Sequence, residues 1–219
     1  VPMVGLAGLV GLFVHGAAGQ RLGRLVAASA LPLSGLALLV RAVALQAPID
    51  LARTAILEAE VGPPGLARRE VLLLQAPTSF ACLHPRAVWT VEGGAPDVRF
   101  WPLQMGRREV RWTRIDARTF ELESRGAPFL AEFLETVFLA DARPTAPGAV
   151  WTTSLFTAEA VAVDEAGLRR IRFRMAEPLE APGVTFLTWR NGRWRRLAPP
   201  AAGETIELAA VTPPLPLLP

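Results

Sequence analysis

Cys82 and His84 are the one cysteine–histidine pair that is close in the sequence, with a single residue between them. A cysteine nucleophile needs a histidine base nearby and a third group that orients the base. Residues two positions apart rarely supply that geometry, and the neighbours of Cys82 are mostly apolar. The pattern therefore favours a buried, unreactive thiol beside a loop histidine.

Other patterns that could support catalysis or ligand binding are equally weak. Ser79, His84 and Asp97 could form a hydrolytic triad, but no G-x-S-x-G motif surrounds the serine. One cysteine and two histidines do not supply the ligands of an ordinary zinc site, and one cysteine cannot form an intrachain disulfide. The sequence contains neither a Walker loop nor G-x-G-x-x-G. We predict no catalytic residue, no metal ligand and no cofactor.

Five arginines form the most distinctive surface pattern. Arg170, Arg172 and Arg174 alternate with apolar residues, so they share one face of a predicted strand. Arg193 and Arg195 lie on a later predicted strand. Together they are a candidate interaction surface for anionic headgroups or for an acidic partner. The pattern favours the alternative, a solvent-exposed face on which the arginines pair with carboxylates of neighbouring strands.

The distribution of charge argues against a nucleic-acid partner. The chain has 219 residues and a net charge of +3. Residues 1–48 contain Arg21, Arg24 and Arg41 and no acidic residue, so they carry the whole excess. Residues 49–219 contain as many arginines as acidic residues. Because this larger part is charge-balanced, a nucleic-acid partner is not expected.

Two uncharged apolar stretches near the start of the chain predict transmembrane helices. They are residues 1–14 and 25–40, and a bilayer span needs roughly 20 apolar residues. The second stretch is long enough if Arg41 snorkels, and residues upstream of the sequence would complete the first. The alternatives are a buried helical hairpin or a cleaved signal peptide, and the site before Pro48 is a poor cleavage site. We predict two transmembrane helices within residues 1–47.

The short loop between the predicted spans determines their orientation. It contains Arg21 and Arg24, and the positive-inside rule places such a loop in the cytoplasm. Arg41, at the outer end of the second span, argues against this orientation. The remainder of the chain is then predicted to lie on the periplasmic or extracellular side of a bacterial inner membrane.

The rest of the chain predicts a mainly β domain. Residues 48–68 indicate a juxtamembrane helix and a linker, residues 69–212 a β-rich extracytoplasmic domain, and residues 213–219 a proline-rich tail. Short strands separated by proline and glycine are typical of a sandwich or a partly open barrel. The predicted strands are 70–75, 86–91, 98–103, 109–115, 119–124, 158–163, 168–175, 184–189, 193–197 and 205–208.

Two local signals refine this prediction. Apolar residues at helical spacing in residues 128–139 predict one helix packed on the core, beginning at Pro128. Asn191-Gly192 is a strong hairpin signal, and Trp189 and Trp194 on either side of it are expected to pair across the turn.

Two stretches carry a resemblance to known proteins. They are EVLLLQAP (70–77) and RRIRFRMAEPLEAPGVTFLTWRNGRWRRLAPPAAGETIEL (169–208). They resemble the C-terminal region of uncharacterised multi-pass membrane proteins of high-GC bacteria, in which apolar spans precede a β-rich tail. The resemblance implies that the chain is the C-terminal piece of a longer membrane protein, and it carries no functional residues with it.

Two functions remain open from the sequence. The first is a membrane-anchored envelope protein whose β domain has a structural or protein-interaction role, with the lipid bilayer and other membrane or envelope proteins as partners. The second is an accessory extracytoplasmic domain of a multi-pass enzyme or transporter whose catalytic part lies upstream of residue 1. Spans that carry acidic or basic residues would favour the second function.

Overall fold

The structure of the protein is a computed structural model. It describes residues 50, 53–61, 68–77, 85–93, 97–104, 108–131 and 146–211. The two predicted membrane spans lie outside these residues, and among the residues described no helix is long and apolar enough to cross a bilayer. The chain divides between Ile49 and Asp50, and the β domain belongs to the second unit, residues 50–219.

The described part of the domain is mainly β, and its strands form two sheets. The strands are β1 (Arg69–Leu73), β2 (Val98–Pro102), β3 (Val110–Arg114), β4 (Thr119–Ser124), β5 (Val150–Thr152), β6 (Phe156–Asp164), β7 (Gly167–Met175), β8 (Val184–Arg190), β9 (Arg193–Arg196) and β10 (Thr205–Leu208). The order in the first sheet, here called the mixed sheet, is β2-β1-β8-β9. The order in the second, the antiparallel sheet, is β10-β3-β4-β7-β6-β5.

The mixed sheet is built around the apolar strand β1. This strand pairs in parallel with β2 on one side and with β8 on the other, and all five of its residues are buried. A parallel strand that is covered on both faces reads as a continuous apolar run, which explains the residues Val71–Leu73. The mixed sheet therefore forms the middle layer of the domain.

The space between the two sheets is the main core. Phe186 of β8 packs against Trp112 of β3 and Phe120 of β4, with ring centroids 5.0 Å and 5.6 Å apart. Phe120 stacks on Phe173 of β7 at 4.9 Å. The contacts of Phe186 join side chains from both sheets, so the sheets pack face to face as in a β-sandwich.

The other face of the mixed sheet is covered by helical residues 53–57 and the residues that follow them. The backbone N–H of Glu58 donates to the carbonyl of Thr54 at 2.9 Å, which is the spacing of an α-helical turn. Ala55 and Ala59 are buried in a second apolar cluster with Trp189 and other side chains of the mixed sheet. The predicted juxtamembrane helix therefore packs directly on the β domain.

The strand predictions that rest on local pattern are confirmed. Strands β8 and β9 form the predicted hairpin, and the predicted strands 158–163 and 168–175 correspond to β6 and β7, which also form a hairpin. Asn191 and Gly192 both have positive φ, 51° and 77°, which is the requirement of a type I′ turn. Trp189 and Trp194 are cross-strand partners, and their rings lie 5.2 Å apart at 84°.

One predicted element is wrong, and so is the predicted start of another. Residues 86–91 are not a strand, because Pro85–Val88 is helical and Trp89–Gly93 continues it as a π-helix. The helix predicted over 128–139 does not begin at Pro128, and its last residues, 132–139, lie outside the described residues. Phe129 instead forms an isolated β-bridge with Leu168, where its N–H donates to the carbonyl at 2.7 Å. Burial of Phe129 in the core outweighs the helical spacing.

Candidate functional site

The predicted arginine face on β7 lies on the outer surface of the antiparallel sheet. Ile171 and Phe173 of β7 are buried in the core, so Arg170, Arg172 and Arg174 project from the opposite face. The strand pairing places Glu121 of β4 directly opposite Arg172. The register of the sheet thus brings carboxylates and guanidinium groups together.

Two of these three arginines are already paired. Arg172 contacts Glu121 at 2.8 Å and Glu159 of β6 at 3.6 Å, and Arg170 lies 3.8 Å from Glu121. Arg174 is exposed and faces Thr119 of β4 and Thr157 of β6 in the register. The predicted alternative of cross-strand ion pairs is confirmed for Arg170 and Arg172.

The alternation of charge continues across the sheet. Arg111 of β3 contacts Glu207 of β10 at 2.9 Å and Glu123 of β4 at 3.5 Å. Arg125 lies 3.9 Å from Glu207. An anionic partner on this face would compete with these carboxylates for the arginines, so the antiparallel sheet is a poor surface for such a partner.

The other two predicted arginines lie on a different sheet and have different partners. Arg195 of β9 donates to Glu60 at 3.0 Å, and Arg193 lies 3.6 Å from Glu58. The hydrogen bond from Arg195 is the main cause that lowers the pKa of Glu60. The five arginines that the sequence groups together are therefore divided between β7 and β9.

A cleft of about 480 Å³ opens beside the β8–β9 turn. One wall is formed by the end of β8 and the turn, and the other by residues 207–211, in and after β10. Gln75 and Thr188, both almost fully buried, lie at its inner end. No pattern in the sequence pointed to this cleft.

The polar groups of Gln75 are engaged in a network with the chain around the cleft. Its Nε2 donates to the carbonyl oxygens of Arg108 at 3.1 Å, Ala209 at 3.0 Å and Leu208 at 3.4 Å. Its Oε1 accepts from the hydroxyl of Thr188 at 3.2 Å. Because the donors and the acceptor are all used within the protein, Gln75 holds four segments together.

Glu70 of β1 is a second buried polar residue that the sequence analysis did not single out. Its carboxylate accepts a hydrogen bond from Trp101 Nε1 at 2.5 Å and another from Arg68. Arg68 also reaches the hydroxyl of Ser154 at 3.4 Å. Glu70 shares a face of β1 with the core residue Leu72, so this group lies at one end of the space between the sheets.

Of the four residues considered above as weak catalytic candidates, the structure describes Asp97. Ser79, Cys82 and His84 lie outside the described residues. Asp97 accepts two hydrogen bonds from Arg69, at 3.0 Å and 3.1 Å, which lower its pKa. Within the described ranges, no three histidine, cysteine or acidic side chains are grouped as metal ligands. Asp97 therefore serves an ion pair at the start of β1.

Comparisons with known protein families, with curated proteins and with solved structures found no match to this chain.

Acidification is expected to destabilise the domain. Ion pairs and backbone hydrogen bonds lower the pKa values of several carboxyls, among them Glu60, which binds Arg195, and Asp97, which binds Arg69. A pKa lowered in the folded state favours folding at every pH above the ordinary value, 4.5 for Glu and 3.8 for Asp. That stabilisation is lost as the pH falls through the lowered pKa.

Urea unfolding at pH 7, 5, 4 and 3 measures this effect. We expect a constant midpoint from pH 7 to 5 and a fall of the midpoint between pH 4 and 3. The variant Asp97→Asn should show a smaller fall, because one of the contributing carboxyls is absent. A midpoint that is the same at pH 3 and pH 7 would show that the carboxyls with lowered pKa values do not stabilise the folded domain.

Proposed function

We propose that this chain is a membrane-anchored protein of the bacterial envelope, with a β domain that has a non-catalytic structural or protein-interaction role. The proposal rests mainly on the position at which the composition of the chain changes. The apolar, acid-free stretch of residues 1–48 ends within two residues of Asp50, where the unit that contains the β domain begins. A change of composition at a domain boundary is expected where a membrane segment precedes an aqueous domain.

The interior of the β domain supports a structural or interaction role. Its buried polar groups are used to hold strands and loops together: Gln75 joins four segments, Glu70 joins β1 to Trp101 of β2, and Arg69 joins β1 to Asp97. Such networks rigidify a scaffold and specify one packing of the core.

The location follows from the same proposal. Arg21 and Arg24 lie between the two predicted spans, and the positive-inside rule puts them in the cytoplasm. The β domain then lies on the periplasmic or extracellular side of the inner membrane. Its partners in this proposal are the lipid bilayer and other membrane or envelope proteins.

Fusions at the C-terminus test both the anchoring and the orientation. We expect alkaline phosphatase fused after Pro219 to be active, and green fluorescent protein at the same position to be dark, since the first folds in the periplasm and the second in the cytoplasm. We also expect the fusion to stay in the membrane pellet after alkaline carbonate extraction. A bright fluorescent fusion or a carbonate-soluble protein would overturn the proposal.

Charge variants provide the matched control. Replacing Arg21 and Arg24 with glutamate removes the basis of the orientation, so phosphatase activity should fall. Replacing Arg170 and Arg174 with glutamate makes the same change of charge in the β domain and should leave phosphatase activity unchanged.

A further inference from the structure

The β8–β9 hairpin carries four arginines, and two of them form ion pairs with carboxylates of the described residues. Its arginines are Arg190, at the end of β8, and Arg193, Arg195 and Arg196 of β9, here called the hairpin arginines. All four are exposed. Arg190 and Arg193 are partners across a two-residue turn, and Arg195 and Arg196 follow on the same strand.

From this surface we infer that the hairpin arginines bind the anionic headgroups of the membrane in which the chain is anchored. The inference rests on the proposed membrane anchor, and it names the hairpin of the β domain that meets the lipid. The ligand is the phosphate-bearing headgroup of an anionic phospholipid. Guanidinium groups suit it because they donate paired hydrogen bonds to phosphate oxygens.

The charge balance at the hairpin differs from that on β7. Four arginines face two carboxylates, and among the described residues the ion pairs of the hairpin are Arg193 with Glu58 and Arg195 with Glu60. Two positive charges are thus left over, whereas Glu121 and Glu159 pair with Arg170 and Arg172 on the antiparallel sheet. Arg193 and Arg195 also remain at least half exposed within their pairs.

The carboxylates that pair with the hairpin are close in sequence to the proposed anchor. Glu58 is ten residues from Pro48, where the predicted membrane segment ends. Ten residues span about 15 Å as a helix and at most about 36 Å fully extended. Residues 55–59 are packed on the mixed sheet, so they do not act as a free tether.

At such a distance from the bilayer, the hairpin arginines are attracted to anionic headgroups. The attraction of an arginine to an anionic bilayer is worth about 1 kcal/mol near the surface and decays over a Debye length of about 8 Å. An anchor that keeps the hairpin within a few tens of ångströms of the lipid converts this weak attraction into an intramolecular contact. The domain would then hold one orientation on the membrane.

The test uses the full chain in nanodiscs made of phosphatidylcholine alone or of phosphatidylcholine and phosphatidylglycerol at 3:1. A fluorophore is placed at Ala198→Cys, two residues after β9, or at Ala166→Cys, in the β6–β7 turn, both in a Cys82→Ser background. Both alanines are exposed. A phospholipid with a spin-labelled headgroup serves as the quencher.

We expect quenching at position 198 to be at least about twofold greater than at position 166 in the anionic nanodiscs, and to fall in 0.5 M NaCl. Replacing Arg190, Arg193 and Arg196 with serine should abolish the difference. Replacing Arg170, Arg172 and Arg174 with serine, an equal loss of charge, should preserve it. Near-ultraviolet circular dichroism checks that each variant is folded.

The possible failures are distinguishable. Equal quenching at the two positions, or quenching at position 198 that survives the replacement of Arg190, Arg193 and Arg196, overturns the inference and leaves the membrane anchor standing. A chain that does not copurify with nanodiscs overturns the anchor and the inference together.

Discussion

Replacing Phe186 with alanine is expected to lower the free energy of unfolding of the β domain by about 3–5 kcal/mol, the range for truncating a buried phenylalanine. Phe186 is 1% exposed and lies between Trp112 and Phe120, which belong to the opposite sheet. Removing its ring leaves a cavity where the two sheets meet. Because each sheet is held by its own strand pairing, the surroundings cannot close that cavity without moving one sheet toward the other.

Denaturant unfolding of the full chain in detergent measures this loss, with near-ultraviolet circular dichroism reporting on the tryptophans. Phe186→Leu keeps most of the volume and should cost about 1–2 kcal/mol, so it gives a value even if the alanine variant does not fold. Val150→Ala, at a residue that is 56% exposed, should change the free energy by less than about 0.5 kcal/mol. A loss below about 1 kcal/mol for Phe186→Ala would show that Phe186 does not join the two sheets.

The elements that the sequence predicts correctly are those with local causes. The alternation in β7 identifies its buried face, and Asn191-Gly192 identifies the β8–β9 hairpin, because both signals depend on residues close in the chain. Strand β5 was missed because it is only three residues long. A strand of that length carries too few alternations to be recognised.

The pairing of strands that are far apart in the chain could not be predicted from the sequence. Strand β1 pairs with β8, more than a hundred residues later in the chain, and the pairing is parallel. Both strands are buried on both faces, so neither shows the alternation that would indicate a partner. The bridge between Phe129 and Leu168 is of the same kind, since a contact 39 residues away decides the conformation of Phe129.

The candidate surface was likewise predicted correctly only in the part that depends on local sequence. Periodicity places Arg170, Arg172 and Arg174 on one face, and the structure agrees. Which arginines are neutralised depends on long-range contacts: Glu121 lies opposite Arg172 in the sheet. Arg193 and Arg195 pair with Glu58 and Glu60, which follow a helical turn far away in the sequence. The sequence therefore identifies the arginines but not the charge that remains on each sheet.

Gln75→Leu is expected to lower the free energy of unfolding by about 3–5 kcal/mol. Gln75 is 1% exposed, and its amide bonds the carbonyls of Arg108 and Ala209 and the hydroxyl of Thr188. Leucine fits the volume but makes none of these hydrogen bonds, and each buried polar group that loses its partner costs about 1–3 kcal/mol. Water entering from the neighbouring cleft keeps the total below the sum of the separate costs.

Two further variants separate the hydrogen bonds from simple packing. Thr188→Val removes one donor and should cost about 1–2 kcal/mol. Gln75→Glu preserves the shape but, when ionised, points a carboxylate at the carbonyl oxygens of Arg108 and Ala209. Burial beside carbonyls raises the pKa of such a carboxyl, so the variant should lose stability as the pH rises from 5 to 8. Equal stabilities of Gln75→Glu at pH 5 and pH 8 would show that the side chain at position 75 is not buried against these carbonyl oxygens, because such a site disfavours the ionised carboxylate.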